Sequence, residues 1–206
     1  PSGEEVLLYH DNTLVDSIRW GRQIAGHSIG RHGPSGQWKL CLPTPGGPNQ
    51  AVGLAPPHQM KINEWLSDSE LHYLGEFIEL FNPGDSPANV GGLWLSNSLD
   101  HPGRHQIPDH SYIPAHGFLV FHSTASDRPA ADEFPFNLDD FRQWLVLTAD
   151  NGATIDQIRI TSQHPDAVEG RNPDGSPNVE TLPLGTPGRS NNRAPHSWST
   201  PDSVPS

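Results

Sequence analysis

Cysteine is nearly absent from this chain. Cys41 is the only one in 206 residues. A single thiol makes no intramolecular disulfide and no cysteine-based zinc site, so a disulfide-stapled framework is excluded. Basic residues are scarce as well. Twelve Lys and Arg against 24 Asp and Glu give a formal net charge of -12. That is the wrong sign and density for a nucleic-acid backbone, which needs concentrated cationic side chains. An acidic, lysine-poor surface serves solubility outside the cell and by itself identifies no ligand. No apolar run is long enough to cross a bilayer, and no segment reads as a signal peptide. The chain opens Pro1-Ser2-Gly3 as if in mid-domain, so the missing leader says nothing about the full-length protein. No Asn-x-Ser/Thr acceptor occurs.

The signatures of catalysis are missing too. There is no Gly-x-Ser-x-Gly elbow, and Cys41 has no recognisable partner motif. His27-Ser28 is ordinary loop composition. Asp139-Asp140 are adjacent, and neighbours on an extended chain point apart rather than forming an acid/base pair. No glycine-rich loop leads into a helix to cradle phosphate. Twelve histidines raise the question of a transition metal. His101 and His105 are four apart, but Pro102-Gly103 between them removes the helical face that such spacing needs. His110, His116 and His122 are scattered over turns and strand ends, and the histidines read as surface loop residues.

What is present is strand and turn. The apolar fraction is 33%, and 20 glycines and 22 prolines punctuate it, which suits short strands joined by many turns. The organising stretch is Gly75-Glu76-Phe77-Ile78-Glu79-Leu80-Phe81-Asn82-Pro83. Its aromatic and branched run, stopped by Asn82-Pro83-Gly84-Asp85, predicts a core strand. Glu76 and Glu79 are three apart and therefore point to opposite faces, so at most one reaches solvent without a partner. Further strands are expected at Glu5–Tyr9 and Thr13–Trp20 around an Asp-Asn turn, and at Met60–Leu66, Leu93–Leu95, Gln106–Ile107 and Gly117–Phe121. Ser123–Pro135 reads as a polar loop. Phe136–Phe141 reads as one helical turn capped by Asn137 or as an irregular strand.

The sequence also repeats itself. Glu5–Tyr9, Thr13–Trp20 and Gly30-Arg31 reappear as Leu145–Leu147, Thr154–Arg159 and Gly170-Arg171, and the segment Pro43–Asn49 reappears as Gly185–Gly188 with Asn191. Asp16 matches Asp156 and Arg31 matches Arg171 at a separation of 140, and Thr44 matches Thr186 at 142. So long a period is that of a duplicated domain rather than a solenoid. Residues 1–50 are thus expected to be the back half of an upstream domain. Residues 51–59 follow as a linker, 60–192 as a complete β-sandwich, and 193–206 as a Pro/Ser-rich tail. Half a sandwich leaves an apolar face open, so the front piece should pack on the complete domain, dock a second chain, or stand as a cut fragment.

Taken in order, Ile62-Asn63-Glu64, Glu76–Asn82, Gly92–Ser96, Ile107-Pro108, Ile113–Phe121 and Gly185–Gly188 with Asn191 resemble the lamin tail domain family. The resemblance runs from Lys61 to Asn191, and residues 3–49 are similar to the family's second half. There Gly3-Glu4 stand where Arg142-Gln143 stand in the complete copy. It implies an all-β, immunoglobulin-like antiparallel sandwich of the bacterial type. It also implies a non-catalytic structural, adhesive or protein-recognition role, in the envelope or outside the cell, beside other domains of one polypeptide. No cofactor is implied.

Two ligand readings stand beside this one. Hard cations favour loop carboxylates, and Glu64, Asp68, Glu76, Glu79 and Asp85 near the ends of the first two strands of the complete domain are the calcium candidates. Their alternative role is solvated or arginine-paired. A carbohydrate-binding accessory module of a secreted hydrolase would instead display aromatic side chains on one face. Most of the six tryptophans lie in apolar strands and read as core, and Trp65 and Tyr73 flanking the first loop are the contact candidates. An enzyme would need a deep polar cleft with convergent carboxylates or histidines.

Overall fold

The computed structural model describes residues 3–67, 69, 75–138, 143–160 and 167–192. A hairpin comes first, β1 (Glu4–His10) and β2 (Thr13–Trp20). Asp11 and Asn12 connect them, both at positive φ, 45° and 63°. Such a two-residue turn matches the twist of the flanking strands, and Asp and Asn tolerate the left-handed region that it requires. Next, β3 (Ser28–His32), β4 (Gln37–Leu42) and β5 (Gln50–Ala51) form a three-stranded antiparallel sheet.

A 3₁₀ turn at Pro57–Gln59 leads into the sandwich. Its strands are β6 (Lys61–Leu66), β7 (Phe77–Phe81), β8 (Ala88–Asn89), β9 (Trp94–Ser96), β10 (His105–Gln106) and β11 (Tyr112–Ile113). They continue with β12 (Phe118–Ser123), β13 (Glu133–Phe134), β14 (Trp144–Thr148), β15 (Thr154–Arg159), β16 (Val168–Arg171) and β17 (Val179–Leu182). One sheet has the order β13-β12-β7-β6-β16-β17, and the other β10-β9-β14-β15. The core lies between them. Ile62, Trp65, Ile78, Leu80, Leu119 and Phe121 come from the first sheet, Leu95, Leu145 and Leu147 from the second.

Alternation along the strands explains this core. Ile78 and Leu80 point inward with Leu119 and Phe121, and each fully buried side chain of this kind contributes about 1.5–3 kcal/mol. The intervening residues face the outer side of the six-stranded sheet. There Phe81 pairs in register with Phe118, ring centroids 5.0 Å apart, and Leu66, Phe77, Val168 and Leu182 form a smaller apolar cluster.

Two expectations are corrected. Residues 51–59 are not a free linker: they contain part of β5, the 3₁₀ turn and a parallel bridge from Ala55 to Ala88. The polar loop 123–135 contains β13, paired in parallel with β12. Phe136 and Leu138 are buried in the core, and the rest of the expected helical turn or irregular strand at Phe136–Phe141, from Asp139 on, lies outside the described residues. Residues 139–142 lie outside the described residues, and so do Asp139, Asp140 and the tail from 193.

The front strands meet the sandwich along its 109–112 segment. The Gly21 amide donates to the Asp109 carbonyl at 2.9 Å, and the Tyr112 amide to the Arg22 carbonyl at 2.9 Å. Arg22 also reaches Asp132 at 3.2 Å. A Cβ at Gly21 would lie 1.9 Å from the Ser111 hydroxyl, so only glycine permits this crossing. Leu40 and Cys41 are fully buried, and the thiol is free. The β1–β2 hairpin, by contrast, is largely exposed beyond its base. Val6, Leu8, Tyr9 and Val15 are each at least half exposed. The front piece therefore packs on the sandwich through its second part and through the base of the hairpin, where a Cβ at Gly3 would lie 2.7 Å from the Ala131 side chain.

Candidate functional site

The densest polar arrangement sits on the outer face of the six-stranded sheet, and a bulge creates it. β6 pairs with β7 as Ile62↔Leu80, Glu64↔Glu79 and Trp65↔Ile78, with the register shifting at Asn63. The extra residue lets Ile62 and Trp65, three apart, both reach the core, while Glu64 comes opposite Glu79 on the outer side. Both carboxyls are fully buried.

Their oxygens are occupied by the chain itself. Glu64 accepts from the Thr186 amide at 2.7 Å and the Thr186 hydroxyl at 2.9 Å. Glu79 accepts from the Gly188 amide at 2.6 Å and from the Asn63 side-chain amide at 3.0 Å. Asp174 joins them, accepting from Asn63 and from the Asn191 amide at 3.0 Å each, and from the Ser190 hydroxyl. The closing Gly185–Asn191 turn is therefore held down over the first two sandwich strands. Burial, reinforced by the charges of Glu64 and Asp174, pushes Glu79 up to about 8 against the pull of its hydrogen bonds. Burial also raises Glu64, against its bonds from Thr186. At neutral pH Glu79 holds its proton.

A second polar knot lies beside it. Arg171 and Asp156 form a bidentate pair at 3.0 and 3.2 Å, with 7% and 10% of their side chains exposed. The main chain of Ile62 completes it: its amide donates to Asp156 at 2.9 Å and its carbonyl accepts from Arg171 Nε at 2.8 Å. Arg171 also donates to the Ser176 carbonyl at 2.6 Å, and the Asn191 side-chain amide to the Arg171 carbonyl at 3.0 Å.

Three of these contacts have counterparts in the front strands. Arg31 donates to Asp16 at 2.6 Å and to the Gly36 carbonyl at 3.0 Å, and Asn49 donates to the Arg31 carbonyl at 2.9 Å. The hairpins match as well, with bulges at Leu8/Tyr9 and at Leu147/Thr148.

Of the five carboxylates named as calcium candidates, the four that are described do not gather into one cluster. Glu64 and Glu79 meet as described, with their oxygens turned to main-chain amides. Glu76 accepts from the Leu138 amide at 2.9 Å. Asp85 is exposed and sits 2.9 Å from His116, and Asp68 lies outside the described residues. Among the described residues no group of three or more His, Cys, Asp or Glu is arranged to hold a metal ion.

Of the aromatic contact candidates, Tyr73 also lies outside the described residues, and Trp65 is corrected outright. It is fully buried and its indole N–H donates to Glu169 at 3.1 Å. The bulge, invisible in the pattern of the sequence, turns it inward. His105 likewise is no surface residue: it is buried in β10, and burial lowers its pKa. Sequence reasoning gave no role to Asn63, Asp174 or Asn191. The recurrence of Asp16 and Arg31 at Asp156 and Arg171 was the available signal for the second knot.

Two facing, mainly antiparallel sheets with one core, clamped by buried polar side chains, define an immunoglobulin-like β-sandwich. Residues 55–162 match the family model described as Lamin Tail Domain, and the chain belongs to that family of immunoglobulin-like domains. No curated protein matches the chain. Among the described residues, no helix is long and apolar enough to cross a membrane.

Proposed function

We propose that the chain is a non-catalytic structural and protein-recognition module of a larger exported bacterial protein, in which one lamin tail sandwich follows the second half of another. The observation that supports this reading best is the direction of the polar side chains. Glu64, Glu79, Asp156, Arg171 and Asp174 direct their hydrogen bonds to their own main chain. They stabilise a scaffold and present no reacting group to a substrate. The matched contacts of Asp16, Arg31 and Asn49 with Asp156, Arg171 and Asn191 support the half-domain assignment.

The test is a thermal melt of the full chain in EDTA, in millimolar calcium, and with a panel of soluble polysaccharides. A ligand bound only by the folded state raises the melting temperature by mass action. The expected result is a midpoint unchanged within about 1 °C in every arm. A rise of several degrees with calcium would restore the cation reading. A rise with one polysaccharide would favour the carbohydrate-binding accessory module.

A further inference from the structure

The two hairpins with matching bulges differ in what covers them. Leu145 and Leu147 of β14 are 1% and 0% exposed, whereas Val6 and Leu8, at the equivalent places relative to the bulge in β1, are 55% and 57% exposed. In the sandwich β9 pairs with the free side of β14, as Leu95↔Leu147 and Trp94↔Thr148. Among the described residues β1 has no such neighbour, and β1-β2 is a two-stranded sheet. The ion pairs differ in the same way. Asp156 and Arg171 Nε exchange hydrogen bonds with the main chain of Ile62, while Asp16 and Arg31, 39% and 46% exposed, have no strand above them among the described residues.

We infer that the β1–β2 hairpin and the Asp16–Arg31 pair form a docking surface for an additional lamin tail front half. This partner is a polypeptide with the strand pattern of residues 60–138. One of its strands adds to the open edge of β1, as β9 does to β14. The residue matching Ile62 offers its amide to Asp16 and its carbonyl to Arg31. Its apolar face covers Val6 and Leu8.

The chemistry selects this occupant. An acceptor and a donor set to exchange two bonds with one residue's main chain recognise a β-strand. A row of half-exposed aliphatic side chains beside them requires an apolar sheet face. A second copy of this chain does not satisfy the surface. Each chain carries one front half, and its own β14–β17 already occupy it. The inference rests on reading residues 3–49 as the second half of the fold.

The experiment is a fusion that places an extra copy of residues 55–141 directly before Gly3 of the full chain. Hydrogen–deuterium exchange of residues 4–20 is compared with that of the unfused chain. The expected result is exchange slowed at least about 100-fold across the hairpin, in a monomer by mass, because amides in a covered sheet open only with larger unfolding. A second variant keeps the reading independent of overall fusion stability. Val6→Thr with Leu8→Thr should leave the melting midpoint of the unfused chain within about 1 °C and lower that of the fusion by several degrees. Hairpin exchange equal to that of the unfused chain, whether or not the added segment folds, overturns the inference. That outcome leaves the calcium and polysaccharide melts, and the module reading they test, untouched.

Discussion

Glu64 on β6 and Glu79 on β7 face each other as direct register partners, two fully buried carboxyls, and among the described residues neither is ion-paired. What holds them is a set of main-chain amides from Thr186 and Gly188. Because Glu79 is raised from 4.5 to about 8 in the folded chain, the folded state binds its proton more tightly than the unfolded state. Its contribution to stability is full below about pH 4.5 and is lost as pH climbs through about 8. Melting temperature should therefore fall between pH 5 and pH 8.5, with a slope of up to about 1.4 kcal/mol per pH unit from this one group. Glu79→Gln should flatten that slope while lowering the midpoint at every pH, since Gln supplies one acceptor where two donors arrive. A slope unchanged in Glu79→Gln would place the proton elsewhere.

Equivalent ion pairs should carry unequal energies. Arg171→Ala leaves buried Asp156 with only the more distant Lys61 at 3.9 Å, which costs up to about 3–5 kcal/mol. Arg31→Ala breaks a half-exposed pair and should cost no more than about 1 kcal/mol. Urea midpoints of the two variants at one pH decide the matter, and similar losses would contradict the difference in burial.

Gly170 sits where Asn191, Leu182 and the Asn63 carbonyl converge; an added Cβ would lie 2.8, 2.9 and 3.0 Å from them. The backbone oxygen cannot swing aside as a flexible side chain can. Gly170→Ala should destabilise the chain by about 1–3 kcal/mol through overpacking. Gly152→Ala, with open space around it, differs in cause: its φ of 81° makes any loss there conformational. Crystal structures of the two variants would separate displacement of Asn191 from local turn strain.

Trp65→Phe removes the indole donor to Glu169 and keeps most of the apolar volume. The expected cost is about 1–3 kcal/mol, read by denaturant unfolding. In the unmodified chain Trp65 should also resist acrylamide quenching, being fully buried. Preserved stability together with lost polysaccharide binding would instead return Trp65 to a contact role.

The strands were legible in the sequence because alternation and turn chemistry are local. Phe77–Phe81, the Asp11-Asn12 turn and the Gly117–Phe121 run follow from neighbours within a few residues, and the structure places strands at the two runs and a turn at Asp11-Asn12. The ordered motifs from Ile62 to Asn191 were enough to suggest the family that residues 55–162 match. The partners of the acidic residues were not legible. Whether Glu64 faces solvent or a glycine-rich turn 122 residues later depends on a one-residue bulge and on chain closure. Trp65 was misread for the same reason, since an extra residue inverts every face that follows it. His105 was assigned to the surface because its two-residue strand leaves no period to read.

The sequence by itself thus determined the β-class and the main turn positions, which are encoded in short-range patterns, and it placed Asp16 and Arg31 at a spacing of 140 from Asp156 and Arg171. Only the tertiary structure decided that the carboxylates clamp a loop, that one arginine–aspartate pair is sealed while its counterpart lies open, and that one hairpin is core and the other surface. Burial is a property of what packs against a residue, and that is set by distant parts of the chain rather than by the residue and its neighbours.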